Sequence, residues 1–210
     1  MKSKLKLLSL AAGIALALSG TSVLAAGKYD VGANDKEVKV GNIVPYSGPA
    51  SAYGNIGKAI AAYFKGVNEQ GGINGRQINF ISLDDGYSPP KTVEQARKLV
   101  EQEKVLFLAA TLGTPTNTAI HKYMNKKKVP HIFVNTGAHK WGDYGTYPWT
   151  MGLQPDYQTE GKIYAAHILK NNPNAKIAIL YQNDDYGKDY VKGMEDGLGD
   201  KKGMIVAKAS

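Results

Sequence analysis

Residues 177–190 read IAILYQNDDYGKDY. The apolar run from Ile177 to Leu180 stops abruptly at a cluster of acids, a glycine and tyrosines. A short apolar run bounded by turn signals reads as a buried strand. Aspartates just ahead of a periodic segment read as a helix start, because their oxygens accept from free N–H groups of the first turn. The stretch therefore predicts a strand over residues 176–181, an acidic turn, and a helix over residues 186–198. Residues 78–85, INFISLDD, show the same order and lead into a helix near Lys91. Strand, acidic turn and helix, met twice at distant places, is the pattern two similar α/β lobes would leave.

The alternation runs through everything after Glu37. Residues 38–44 predict a first strand, and Pro45-Tyr46-Ser47-Gly48-Pro49 is turn chemistry. Ile56, Ile60, Phe64 and Val67 fall on one helical face, which Gly71-Gly72 ends. A strand over residues 77–83 is followed by Ser88-Pro89-Pro90, a helix entry, and by the face Val93, Ala96, Leu99 and Val100. Residues 105–110 predict a buried strand, and Gly113-Thr114-Pro115-Thr116 opens a helix carrying Ile120, Tyr123 and Met124. A strand over residues 129–134 comes next. Residues 135–147 hold Gly137, Gly142, Gly145 and Trp141 without a period, and read as a functional loop. Residues 148–153 read as an extended crossing between lobes. A helix over residues 157–169 is expected to turn Ile163, Ala166 and Leu169 inward, and residues 204–207 begin another strand.

Strands alternating with helices mean α/β: a mostly parallel, doubly wound sheet covered on both faces. The expected division is a leader over residues 1–25, an N-terminal ligand-binding lobe over 26–150, and the start of a second lobe over 151–210. The final GMIVAKAS reads as a strand awaiting more sheet, so the second lobe is expected to be incomplete, as in a truncated chain.

The leader is read from Lys2, Lys4 and Lys6, the apolar run Leu7 to Leu18, and the V-x-A site at Val23-Leu24-Ala25. A basic start, an apolar centre and small residues at the end form a secretory signal peptide. The apolar run is shorter than the roughly 20 residues a membrane span needs. Cleavage removes three lysines, lowers the formal charge from +8 to +5, and leaves no stable membrane insertion. With no cysteine the chain has neither a disulfide framework nor a thiol nucleophile. The one compact basic run, Lys126-Lys127-Lys128, sits near a helix C-terminus, where cations complement the dipole, so nucleic acid is not an expected partner.

Enzyme and cofactor motifs fail on spacing. A phosphate loop needs a glycine where Ala52 stands, and Ala59 follows Lys58. Neither a dinucleotide fingerprint nor a G-x-S-x-G elbow is present. His121, His131, His139 and His167 lack metal-ligand spacing, and His131 reads as structural. Asp184, Asp185 and Asp189 do not follow a calcium-loop spacing. No cofactor or metal is therefore expected.

What remains is position, since parallel sheets bind ligands beyond the carboxyl ends of their strands. Four such ends carry small, hydroxyl or aromatic residues: Tyr46-Ser47-Gly48, Thr111-Leu112-Gly113-Thr114, Asn135-Thr136-Gly137-Ala138 and Asp184-Asp185-Tyr186. Glycine turns and helix starts offer N–H groups to an anion, and Thr114 or Thr136 can add hydroxyls. Three charge-assisted hydrogen bonds plus a buried apolar tail reach about −8 kcal/mol, micromolar affinity. The alternative is that these residues only form turns and caps.

The stretch VKVGNIVPYSGPASAYGNIGKAIAAYFKGVNEQGGINGRQI, followed by Asp84-Asp85, resembles the branched-chain amino-acid (Leu/Ile/Val)-binding family of periplasmic proteins of type I fold. The S-G-P turn, the aromatic before Gly54, the NEQGGINGR helix exit and the NDDYGKDY strand end all agree. The resemblance covers essentially everything after the leader. It implies two α/β lobes, a small carboxylate ligand held between them, and delivery to an ABC transporter permease. It implies Tyr53 as a cleft aromatic, Leu112, Gly113 and Thr114 as the carboxylate loop, Thr136, Gly137 and Ala138 as the next cleft loop, and Tyr186 as the tyrosine that closes from the second lobe. Gly113 replaces a hydroxyl residue frequent in the family. The loop TGAHKWGDYGTYPWTMG is similar to members that take aromatic or other organic acids. A ligand-sensing receptor of the same fold and a secreted hydrolase using Asp84, Asp85, Asp184 and Asp185 are the competing functions.

Overall fold

The computed structural model describes residues 28–210. The leader assigned to residues 1–25 lies outside the described residues. Among the described residues no helix is long and apolar enough to cross a membrane.

The chain runs β1 (Glu37–Val44), a 3-10 turn (Ser51–Tyr53), α1 (Gly54–Glu69), β2 (Gln77–Asp84) and α2 (Pro89–Arg97). A π-helical turn (Lys98–Gln102) extends α2 and leads to β3 (Phe107–Ala109), α3 (Thr114–Lys127) and β4 (His131–Val134). A 3-10 turn (His139–Gly142), β5 (Thr150–Gly152), α4 (Tyr157–Asn171), β6 (Ile177–Leu180), α5 (Asp185–Leu198), a 3-10 turn (Gly199–Met204) and β7 (Ile205–Ala209) complete it. Every strand and helix predicted from periodicity is present, with ends shifted by a few residues in either direction.

The first five strands form one parallel sheet in the order β2-β1-β3-β4-β5. β6 and β7 form a second, two-stranded parallel sheet. Alternate side chains of β2 address opposite faces, as the period of two requires. Phe80 meets Phe64 of α1 edge-on at 5.3 Å. Ile81 and Leu83 join the core under α2 and α3, where Ile43, Ala96, Leu99, Val105, Leu108, Ile120 and Met124 are buried. Burial of a side chain such as Leu108 or Ile120 is worth roughly 1.5–3 kcal/mol, so this cluster anchors the first sheet.

The predicted inward face of the helix over residues 157–169 is corrected. Ile163 is 59% exposed and Ala166 is exposed as well, while Leu169 is half-buried. Gly161 and Ala165 are the buried positions. The reason is the helix's partner. α4 packs on α5 through a line of small residues, and a Cβ at Gly161 would lie 2.9 Å from the Cα of Gly193. Backbones that close leave no room for branched side chains in the contact, so Ile163 turns away.

Candidate functional site

Parallel strands deliver all their carboxyl ends to one edge, so the loops after β1, β3, β4 and β6 converge. They enclose a cavity of about 600 Å³ between the two sheets. That volume suits a small-molecule ligand.

Six of the eight residues singled out from sequence line it: Tyr53, Leu112, Gly113, Thr114, Thr136 and Tyr186. Tyr53 ends the 3-10 turn after β1 and stands at the mouth, 57% exposed. Gly113 is the N-cap of α3, at φ 100° and ψ 143°. No side chain caps that helix, and the N–H groups of Gly113 and Thr114 have no acceptor among the described residues. The hydroxyls of Thr114 and Thr136, both buried, are hydrogen-bonded to each other. Of their two protons one is used within the pair, which leaves one to donate elsewhere.

Gly137 and Ala138 do not line the cavity. The chain turns inward after Thr136, and the Gly137 carbonyl accepts the Tyr157 N–H at 2.8 Å, starting α4. A Cβ at Gly137 would strike the carbonyl of Pro155 and the ring of Tyr157. Ala138 is buried with Val134 and Trp141. Its neighbours His139 and Lys140 instead tie this loop to α5 and α3. The His139 N–H donates to Asp189 at 2.8 Å, and the Lys140 Nζ reaches Asp185 at 2.6 Å and the Thr118 hydroxyl at 3.1 Å.

The loop of Leu112, Gly113 and Thr114 rests on a buried network. The Thr111 hydroxyl donates to Asn117 Oδ1 at 2.5 Å, and the Asn117 Nδ2 donates to the carbonyls of Thr111 and Gly113. With its proton assigned to Nε2, His131 donates to Thr111 Oγ1 at 2.6 Å, and its Nδ1 has no partner. Burial, with a smaller contribution from His121, pushes His131 down to about 3, so it is neutral. His131 is thus a structural support for the loop.

The aspartates proposed as hydrolytic groups are engaged elsewhere, and none lines the cavity. Asp84 accepts from the N–H groups of Tyr46, Ser47 and Gly86 and from the Ser47 hydroxyl. Partial burial would raise it, but those four bonds hold it at about 2. Asp85 is buried, which raises it, while accepting from the Tyr87 N–H and the Thr92 hydroxyl. Asp184 caps α5 by accepting the Gly187 N–H at 3.2 Å. Asp185 pairs with Lys140 rather than capping.

Sequence reasoning missed much of the wall: Tyr87, Tyr157, Glu160, Gln182 and Tyr190 also line the cavity. Tyr190 lies one helical turn beyond Tyr186, and that spacing was a usable signal. The rings of Tyr157 and Tyr190 stack at 4.7 Å, and Tyr186 meets Tyr157 edge-on at 5.1 Å. The Tyr190 hydroxyl donates to Glu160 Oε2 at 2.6 Å. Burial, then that bond and the Glu160 charge, raise Tyr190 well above the ordinary phenol value. Burial likewise raises Tyr87 and Tyr186, so all three are protonated donors at neutral pH.

The sequence profile described as periplasmic binding protein matches residues 37–210. The Leu/Ile/Val-binding protein of Escherichia coli K12 is 26% identical over 174 residues, which cover 80% of this chain and 45% of that protein. A solute binding protein of an ABC transporter from Rhodopseudomonas palustris, solved in complex with benzoate, superposes with a TM-score of 0.72 at 26% identity, covering 82% of this chain and 48% of that one. A branched-chain amino acid transporter substrate binding protein of Streptococcus pneumoniae, solved in complex with isoleucine, superposes at 0.69 with 26% identity, covering 83% and 49%. The chain spans about half the length of the curated relatives it matches.

Proposed function

The chain belongs to the periplasmic binding protein family, and from that premise we propose that it is the substrate-binding component of an ABC importer. In this reading it captures a small carboxylate, either an amino acid or an aromatic or other organic acid, between two lobes. It passes the ligand unchanged to a permease in the membrane. Its place is the periplasm, reached through the leader read in residues 1–25. The lobe division is taken as residues 26–150 and 151–210, with Thr150–Gly152 as the edge strand by which the chain leaves the first sheet.

The observation that carries the reading is the unpaired N–H groups of Gly113 and Thr114, at the start of a 14-residue helix, facing a cavity walled by tyrosines. The positive end of a helix favours an anion, and N–H groups already in place cost no reorganisation on binding. Hydrogen bonds from N–H groups to a carboxylate are worth roughly 1.5–3 kcal/mol each. Tyrosine walls then supply apolar area around the rest of the ligand.

The test is isothermal titration calorimetry with a panel of amino acids and aromatic acids. Tyr186→Ala is expected to weaken binding of the best panel member about tenfold or more, since it removes a cleft ring. Unchanged affinity removes Tyr186 from the site. No binding by any carboxylate would reject the reading itself.

A further inference from the structure

The Asp-Tyr pair repeated in residues 185–190, DYGKDY, divides two duties by helical geometry. Residues four apart share a helix face, and adjacent residues differ by about 100°. Tyr186 and Tyr190 therefore form one stripe of α5, which lines the cavity. Asp185 and Asp189 form the neighbouring stripe, which meets the loop after β4. Asp189 accepts the His139 N–H at 2.8 Å with Oδ2 and the Gln158 Nε2 at 2.8 Å with Oδ1. Asp185 accepts from the Lys140 Nζ at 2.6 Å. Lys140 also donates to the Thr118 hydroxyl at 3.1 Å, and Thr118 stands one turn beyond Thr114 on α3. Neither Lys140 nor Asp185 lines the cavity. From outside the wall, Lys140 thus spans from the helix that presents the Gly113 and Thr114 N–H groups to the helix that carries the two tyrosines.

Strand pairing does not fix that span. α3 follows β3 of the first sheet and α5 follows β6 of the second, and among the described residues no strand joins the two sheets. A shift of α5 by about 1 Å would move both tyrosine rings relative to the donors, enough to loosen a fitted site. We propose that Lys140 is a positioning residue of the cleft: its bridge to Asp185 sets the distance between the donor end of α3 and the tyrosine stripe of α5. The use made of that distance rests on the carboxylate-binding reading above; the bridge itself needs no ligand. The bland role for Lys140 is to cover Trp141, whose ring its Nζ overlies at 5.7 Å. Such packing is indifferent to salt. The bridge, with side chains 31% and 48% exposed, is weakened by it. A pair this exposed adds little to overall stability, so its effect is read in geometry rather than in unfolding.

The chain has no cysteine, so Lys126→Cys and Lys188→Cys place one spin label on each helix, both at exposed positions. Double electron–electron resonance on the full chain then reads the distance between α3 and α5. With Lys140 in place the distribution is expected to broaden and lengthen as sodium chloride rises from about 0.05 M to about 1 M. Lys140→Met is expected to show the broad distribution at both concentrations, and Lys140→Arg to restore the narrow, salt-sensitive one. Whichever of leucine and benzoate binds the wild-type chain is expected to bind Lys140→Met about three- to tenfold more weakly by calorimetry, with the urea midpoint unchanged. A distribution that salt does not move with Lys140 in place overturns the proposal whether or not the variants fold. A narrow distribution in Lys140→Met also overturns it. Binding of neither probe, together with salt-sensitive distances, counts against the carboxylate reading and supports the bridge.

Discussion

Gly113, at the start of α3, is held to glycine by its surroundings. Its φ of 100° belongs to the region that side chains disfavour, and a Cβ there would lie 2.5 Å from the ring of Tyr87 and 2.6 Å from the Thr116 hydroxyl. Tyr87 occupies the space a side chain would need. Gly113→Ala is expected to destabilise the fold by about 1–3 kcal/mol, the usual cost of such a strained backbone, and to push Tyr87 into the cavity. Urea unfolding and calorimetric titration measure the two effects. A variant with wild-type stability and binding would show that Tyr87 yields freely. The strand-end position of the glycine was legible in the sequence. The tyrosine that excludes every other residue was not, because Tyr87 follows β2 and Gly113 follows β3, strands on either side of β1 that only the folded sheet brings together.

Helices α4 and α5 form the outer wall of the cavity, and their contact depends on glycines with different duties. A Cβ at Gly193 would lie 2.2 Å from the carbonyl oxygen of Gln158, so any side chain must separate the helices. Gly193→Ala is expected to cost about 1–3 kcal/mol in thermal or chemical unfolding, the range for overpacking a closed contact. Gly66, inside α1, has nothing within 4 Å of its would-be Cβ. Gly66→Ala should stabilise the chain by about 0.5–1 kcal/mol, by reducing the freedom of the unfolded backbone. Equal effects from the two variants would refute this account of the α4–α5 contact. The existence of both helices followed from the sequence, and Asp184 of the acidic turn does cap α5; Asp156, which caps α4, was not singled out. Their buried faces did not follow. A periodic pattern says that a helix has an apolar side, not that its neighbour will be a glycine-lined helix.

Across the whole molecule, two buried histidines tie stability to pH. His131 is depressed from its ordinary 6.5 to about 3, chiefly by burial. His121 is depressed to about 4, by burial first and then by the Lys140 charge. Folding therefore favours the neutral rings, and the unfolded chain binds more protons in acid. Their contribution is fully present above about pH 6.5 and is lost as pH falls toward about 4 and then 3. Asp84, lowered from 3.8 to about 2, adds a further loss below about pH 4. Thermal midpoints measured from pH 8 to pH 3 should be level above neutrality and then fall. A midpoint that holds steady from pH 7 to pH 4 would contradict burial of the two rings.

The order of strands and helices, the capping aspartates and the strand ends that open on a cleft were determined by the sequence itself. Periodicity, turn chemistry and caps act over a few residues, and a chain displays them without folding. Only the tertiary structure decided which faces are buried, that Ala138 turns into the core, and that five tyrosines from four segments line one cavity with Glu160. Those facts depend on contacts between residues tens of positions apart, whose partners are chosen by packing rather than by any local signal.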